Sequence, residues 1–320
     1  MEKSFRLFCT ILLCAVTVFL FAGCSSLSAG TGANHQNLSY MIQSAYPKVV
    51  AVEIYASQTP KSNESRIAGS GVIIYSSASF CLIATNAHVL GNVGGYNQTT
   101  WNRTSGGYGS NIWISIIHWS DELYKGNLNI YSYSAMAPYT SKRFQATSSS
   151  VLYDNLSEDL AIIKYTSANY SNYTKNSVGV RANLRPGSAS LRIGEPVAAL
   201  GYSLGRYYFS SVGVVSQLYD EYGFRCDDYD EETKWTIPKE FKYGFMHDAT
   251  TIQGNSGGPV FDVDGRVIGL TTMIALADTT KTNGHSHGIP AIGFSIAISA
   301  RLISDVVSNG ASSWGLVDWV

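Results

Sequence analysis

Residues 254–270 read Gly-Asn-Ser-Gly-Gly-Pro-Val-Phe-Asp-Val-Asp-Gly-Arg-Val-Ile-Gly-Leu. Two apolar runs, Pro259–Val263 and Val267–Met273, flank Asp264-Gly265. Asp-Gly between such runs signals a hairpin, because glycine takes positive φ without steric cost. Just upstream, Ser256 lies among glycines. A serine hydroxyl is a poor nucleophile at neutral pH, so it needs a base to take its proton and donors to hold the oxyanion that forms. Flanking glycines let the backbone turn tightly enough for amide N–H groups to converge on one spot. Taken alone, the string is equally a glycine-rich turn.

Outward from this hairpin, short runs rich in β-branched and aromatic residues recur. They are Val49–Tyr55, Gly71–Tyr75, Cys81–Ala84, Ile112–His118, Leu160–Tyr165, Val197–Leu200, Val212–Val215 and Ile292–Ile298, separated by Gly, Asn, Asp and Pro clusters. That spacing predicts an all-β sandwich or barrel. Ser299–Ser308 predicts a short C-terminal amphipathic helix with a Ser or Asp start signal. Residues 92–111, rich in Gly, Asn and Thr, and residues 219–245, which mix acidic and aromatic residues, read as long surface loops inserted into the β-framework.

A base for Ser256 must come from elsewhere in the chain. His88 follows the apolar strand Cys81–Ala84 in Thr85-Asn86-Ala87-His88-Val89-Leu90, and Asp159 opens the run Asp159-Leu160-Ala161-Ile162-Ile163-Lys164. A carboxylate at a strand edge beside the core can accept from an imidazole and hold its tautomer. The order His, Asp, Ser is that of chymotrypsin-like proteases. With Gly69-Ser70-Gly71-Val72, residues 194–205 (GEPVAALGYSLG), 210–216 (SSVGVVS) and 291–299 (AIGFSIAIS), the chain resembles the trypsin-like serine proteases of the HtrA (DegP-like) family over roughly residues 45–300.

The resemblance implies two six-stranded antiparallel β-barrels, with His88 and Asp159 from the first and Ser256 from the second. Ser256 would be the nucleophile, His88 the general base and then acid, and Asp159 the group that orients the imidazole; Gly254 and Ser256 N–H groups would form the oxyanion hole. It further implies that Leu270, Thr271 and Thr272 pair with substrate backbone as an added strand. Thr250, six residues before the serine, would form the base of the P1 pocket; carrying no carboxylate, it argues against Lys or Arg at P1 and for a small or medium apolar residue. The chain ends about twenty residues after the 291–299 motif, so no PDZ domain is expected. Many relatives trimerise, which leaves a homotrimer open.

The N-terminus reads as a targeting segment. Lys3 and Arg6 precede an apolar stretch, Leu7–Ala22, too short for a spanning helix, and Ala22-Gly23-Cys24 resembles the cleavage box of bacterial lipoproteins. Residues 1–23 would then be a removed signal, Cys24 the lipidated first residue, residues 24–37 a flexible tether, and residues 38–320 the protease domain. An uncleaved anchor or an ordinary signal peptide are the other readings of the same stretch.

Composition suits an all-β secreted protein. The chain has 22 Lys+Arg against 23 Asp+Glu, a net charge of −1, and is only 14 % charged, against about 25 % in ordinary globular domains. No nucleic-acid partner is expected from such a balance. With 45 % hydrophobic residues, 30 Gly and 21 Tyr, the chain is neither disordered nor a helical bundle. Outside the first 24 residues only Cys81 and Cys226 remain, expected as two buried thiols with one disulfide between them the other reading, and no Cys-x-x-Cys spacing suggests redox or metal work. His285-Ser286-His287, read as a solvated loop, lacks an evident third ligand, so neither a metal nor another cofactor is expected. The reading is a membrane-tethered serine endopeptidase whose partners are protein or peptide substrates. The alternatives are a catalytically silent binding module and a gated form whose oxyanion hole stays unformed until a partner binds.

Overall fold

The computed structural model describes residues 38–55, 57–59, 66–91, 112–118, 143–166, 180–185, 191–203, 207–219, 224–230, 235–282, 285–317 and 319. The chain divides into two compact units, residues 1–44 and 45–320. Of the first, residues 38–44 are described and helical. The targeting segment 1–23, Cys24, the tether 24–37 and the insertion 92–111 lie outside the described residues.

In the second unit, strand β1 (Val49–Tyr55) is buried at every position, as is β3 (Phe80–Thr85). An unbroken buried run means that both faces of the sheet are covered. Along β1 the two faces separate by parity. Val50, Val52 and Ile54 join the core of the first sheet, whereas Ala51 packs with Ile117, Tyr202 and Tyr208, which bridges to the second. Each such aliphatic side chain removed from water contributes about 1.5–3 kcal/mol.

The first sheet contains β2 (Arg66–Ser76), β4 (Trp113–His118), β5 (Phe144–Gln145), β6 (Val151–Asn155) and β7 (Leu160–Thr166) as well. Its order is β5-β4-β1-β2-β3-β7-β6, all antiparallel. This differs from the expected six-stranded barrel: it is a seven-stranded sheet whose edge strands are consecutive in the chain. A turn joins those edges. Ser150 N–H and Val151 N–H both donate to Thr147 O, at 3.0 and 2.8 Å, and Ser150 Oγ donates to Gln145 O.

The second sheet closes as expected into a six-stranded barrel. It consists of β8 (Pro196–Ser203), β9 (Tyr207–Leu218), β12 (Phe245–His247), β13 (Pro259–Asp262), β14 (Val267–Thr282) and β15 (His285–Ser299), ordered β12-β15-β14-β13-β8-β9. The Asp264-Gly265 hairpin forms, with Gly265 at φ +73°. β14 and β15 stay paired as far as Thr282 opposite His285. His285 to Gly288 are therefore strand and not the loop expected.

Residues 219–245 are likewise not one long loop. Within them β10 (Phe224–Asp230) and β11 (Trp235–Phe241) form a two-stranded antiparallel ribbon, with Cys226 opposite Lys239. Cys81 is buried in β3, as expected.

Two helices matter here. α1 is Ala87–Gly91. α2, Ala300–Trp314, starts at Ser299, whose side chain accepts from Arg301 N–H, and runs past the expected Ser308 to a left-handed cap at Gly315 (φ +72°).

His247, in β12, is fully buried. Burial pushes its pKa from 6.5 down to about 4, against the opposing pull of Asp248. Between those values the unfolded chain binds the proton that the folded chain refuses, so stability falls as pH drops through this window. Denaturant titrations at pH 7 and pH 4 should show a loss on the order of 3 kcal/mol from this group. His247→Leu should flatten that part of the profile.

Candidate active site

The end of β3 and the start of β7 are neighbours, with Thr85 opposite Ala161. The chain turns into α1 just after β3 and enters β7 just after Asp159, so His88 and Asp159 meet. Asp159 has φ +52°, a left-handed conformation that Asp tolerates better than most residues. Asn86 Nδ2 holds it there by donating to Asp159 O at 2.9 Å.

The Asp159 side chain is completely buried. An ionised carboxylate without water must be given donors, and it is. His88 Nδ1 lies 2.8 Å from Oδ2 and 3.0 Å from Oδ1, His88 N–H donates to Oδ1 at 3.0 Å, and Thr272 Oγ1 donates to Oδ2. With Nδ1 committed as donor, the lone pair of the imidazole sits on Nε2. The ring is 32 % exposed, so it can reach a reacting group.

Ser256 comes from the other sheet. Gly254 and Gly257 have φ of +97° and +81°, and a Cβ on Gly257 would lie 2.3 Å from both Ser70 O and Thr85 Oγ1. That close approach to Thr85 and Asn86 sets the serine loop beside His88. Within the loop, amides alternate in their use. Asn255 N–H donates to Ile252 O (3.0 Å), Gly257 N–H to Thr271 O (2.8 Å) and Gly258 N–H to Asn255 O (2.8 Å). Gly254 N–H and Ser256 N–H donate to no acceptor among the described residues. A loop that leaves these two amides uncommitted beside a serine can receive a developing anion. No Ser256–His88 hydrogen bond occurs among the described contacts; such bonds are often long before substrate binds.

The expected specificity residues are divided by the structure. Thr250 is exposed, and its carbonyl accepts from Ser211 Oγ. Leu270 and Thr271 take a role other than the peptide pairing expected. Leu270 is buried between Pro259 and Ile298, while Thr271 N–H donates to Gly258 O and Thr271 O accepts from Gly257 N–H. Their main-chain groups on that side are already spent holding the serine loop. Thr272 falls at an irregularity in the β14–β15 register, and its side chain turns to Asp159. Thr251, next to Thr250, is buried, with its hydroxyl bonded to Ser295 Oγ. Among the described residues, no three His, Cys, Asp or Glu side chains gather as a metal ion would require.

Two antiparallel β-bodies joined along such a polar seam define the chymotrypsin-like class of fold. A family model described as a trypsin-like peptidase domain matches residues 69–270, more than half of the chain, and the chain belongs to that family. It is 28 % identical over 123 residues to a probable periplasmic serine endoprotease DegP-like of Halomonas elongata, covering 38 % of this chain and 21 % of the relative. It is 27 % identical over 128 residues to the serine protease PepD of Mycobacterium tuberculosis (39 % and 26 %). Over 161 residues it is 29 % identical to a DegP-like protein of Chlamydia muridarum (50 % and 26 %). The chain thus spans about a quarter of the length of these relatives. A crystal structure of an active-form protease from M. tuberculosis aligns with TM-score 0.48 at 18 % identity, covering 88 % of this chain and 86 % of that one.

Removing the Thr272 hydroxyl leaves the buried carboxylate short of a donor. Thr272→Val should cost about 1.5–3 kcal/mol in stability, the range for hydrogen bonds to charged groups. Thr272→Ser should retain most of it; chemical denaturation at pH 7 checks both.

Proposed function

We propose that the protein is a serine endopeptidase acting on proteins outside the cytoplasm. The observation that carries this reading is the buried Asp159 carboxylate holding His88 by Nδ1, beside a serine loop with two uncommitted amides. Membership of the trypsin-like family and the names of the serine endoprotease relatives support it.

Ser256 Oγ attacks the scissile carbonyl carbon as its proton passes to His88 Nε2. The carbonyl oxygen becomes an oxyanion, received by the N–H groups of Gly254 and Ser256, each such donor being worth about 10²–10³ in rate. His88 then gives the proton to the leaving amine. An acyl group remains on Ser256 until water, deprotonated by the same imidazole, releases it. Asp159 keeps the imidazole in the useful tautomer and stabilises the imidazolium.

Thr250, Thr251 and Ser295 bring hydroxyls and no carboxylate to the P1 region, which favours an uncharged residue of small or medium size over Lys or Arg. Substrate backbone pairs with β14 beyond Thr271, where β13 has already ended at Pro259. The residue pattern at 20–24 supports a lipid anchor at Cys24 on the outer side of the membrane, and the periplasmic relatives support that side.

Ser256→Ala should lose several orders of magnitude in cleavage of casein or a peptide library; equal turnover by both proteins would overturn the assignment. A fluorophosphonate should label the wild type alone, and labelling only after a peptide is added would mark a gated enzyme. Mass spectrometry of the mature N-terminus should find a diacylated or triacylated Cys24, and an intact segment 1–23 would refute the anchor.

A further inference from the structure

Ser70 lies on β2 and is fully buried, a polar residue in an apolar strand with glycine on each side. Every polar group it has is engaged. Its N–H donates to Ser256 O at 2.7 Å, and its Oγ donates to Gly254 O at 2.7 Å. That oxygen also accepts from Tyr202 N–H at 2.6 Å, while the Ser70 carbonyl accepts from Thr85 Oγ1 at 2.6 Å. One residue of the first sheet therefore holds two alternate carbonyls of the serine loop and one amide of β8.

The consequence lies in the peptide planes. The Gly254–Asn255 plane is tied at its carbonyl by Ser70 Oγ and at its amide by Ile252 O. The Ser256–Gly257 plane is tied by Ser70 N–H and by Thr271 O. Between them, the Asn255–Ser256 plane has its carbonyl on Gly258 N–H, so the direction of Ser256 N–H is set from both flanks. Gly254 N–H is set from one flank, through the +97° φ that its pinned carbonyl maintains. The hydroxyl sits directly against β8. A Cβ on Gly201 would lie 2.9 Å from Ser70 Oγ and 3.0 Å from Asn255 Cα, so β8 closes over it.

We propose that Ser70 is a positioning residue for the oxyanion site: its hydroxyl fixes the Gly254 carbonyl and thereby aims the Gly254 and Ser256 amides at the reacting oxygen. The inference rests on the proposed peptidase function. Without the hydroxyl, Gly254 O loses its donor, and the loop gains by turning that carbonyl toward another donor. Turning it changes the Gly254 φ, so the preceding plane, which carries the Gly254 N–H, swings away from the reacting oxygen while the peptide-binding strand stays in place.

The test compares wild type with Ser70→Ala and Ser70→Gly on one peptide anilide, and measures inhibition by a peptide boronate and by the carboxylate peptide of the same sequence. The boronate forms a bond from boron to Ser256 Oγ, whose proton passes to His88, and its oxygen occupies the oxyanion position. Both variants should lose about 10–10²-fold in kcat with KM within about threefold, somewhat less than deletion of one donor. Boronate affinity should fall in parallel while carboxylate-peptide affinity holds. Inhibition constants are read on the folded fraction, so reduced yield does not imitate the effect. Unchanged kcat and boronate affinity would overturn the proposal, as would an equal loss for both inhibitors, which marks a general loosening of the cleft. A wild type that neither cleaves the anilide nor reacts with fluorophosphonate would overturn the peptidase reading itself, and this inference with it.

Discussion

A carboxylate with no access to water governs how this molecule is assembled. Asp159 is uncompensated unless donors come to it, and an uncompensated buried charge costs several kcal/mol. The donors arrive from α1 through His88 and from β14 of the closed barrel through Thr272. The debt runs the other way as well, since Ser70 of the first sheet supplies the donors for Gly254 O and Ser256 O of the barrel. Each body thus completes the polar groups of the other. Displacing one against the other by an ångström would orphan groups on both sides together.

Such exchange requires close backbones, and the seam is built from residues that permit it. A Cβ on Gly69 would lie 2.6 Å from Val89 and 3.1 Å from Ser256 O. Ala51 is the small residue by which β1 meets Tyr202. The segment 180–185 fastens the two bodies in a different way, with Ala182 N–H on Ile73 O and Arg185 N–H on Val267 O, each at 2.8 Å. Asp262, buried at the base of the β13–β14 hairpin, is held by Arg266 Nε at 2.9 Å. That pair draws the hairpin tight behind the serine loop; breaking it would hurt more than its presence helps.

Much of this frame is legible in the amino-acid order, and the part that is not has specific causes. β1 spans the predicted Val49–Tyr55 because six apolar residues, interrupted only by Glu53, admit few other fates. β5, with two residues, and β12, with three, carry too little pattern to be read; they are strands because β4, β9 and β15 offer them partners. The acidic stretch 219–245 hides its ribbon differently: Asp227, Asp228 and Asp230 in β10 and Pro238 within β11 are residue types that strands disfavour. At the site, the residue types of His88, Asp159 and Ser256 could be read from their strings, but not the Thr272 hydroxyl turned to Asp159 nor the main-chain bonds that commit Leu270 and Thr271. A register irregularity between Thr271 and Met273 decides those, and irregularities leave little trace in composition. Ser70 did leave a trace, a lone polar residue between glycines inside a strand, where a close backbone approach is to be expected.

The chemistry of the seam also bears on the low charge of the chain. Apart from Asp159, the described groups that bond across it around the serine loop are hydroxyls and amides: Ser70, Thr272 and the loop peptides. A hydroxyl donates and accepts within the reach of one bond, so it can relay Tyr202 N–H to Gly254 O through a single atom, as Ser70 does. A charged side chain there would donate or accept but not both, and would carry a desolvation cost that the tight seam cannot relieve. Neutral relays around one buried charge leave the orientation of the His88 ring to its contacts with Asp159, at Nδ1 and at the main-chain N–H.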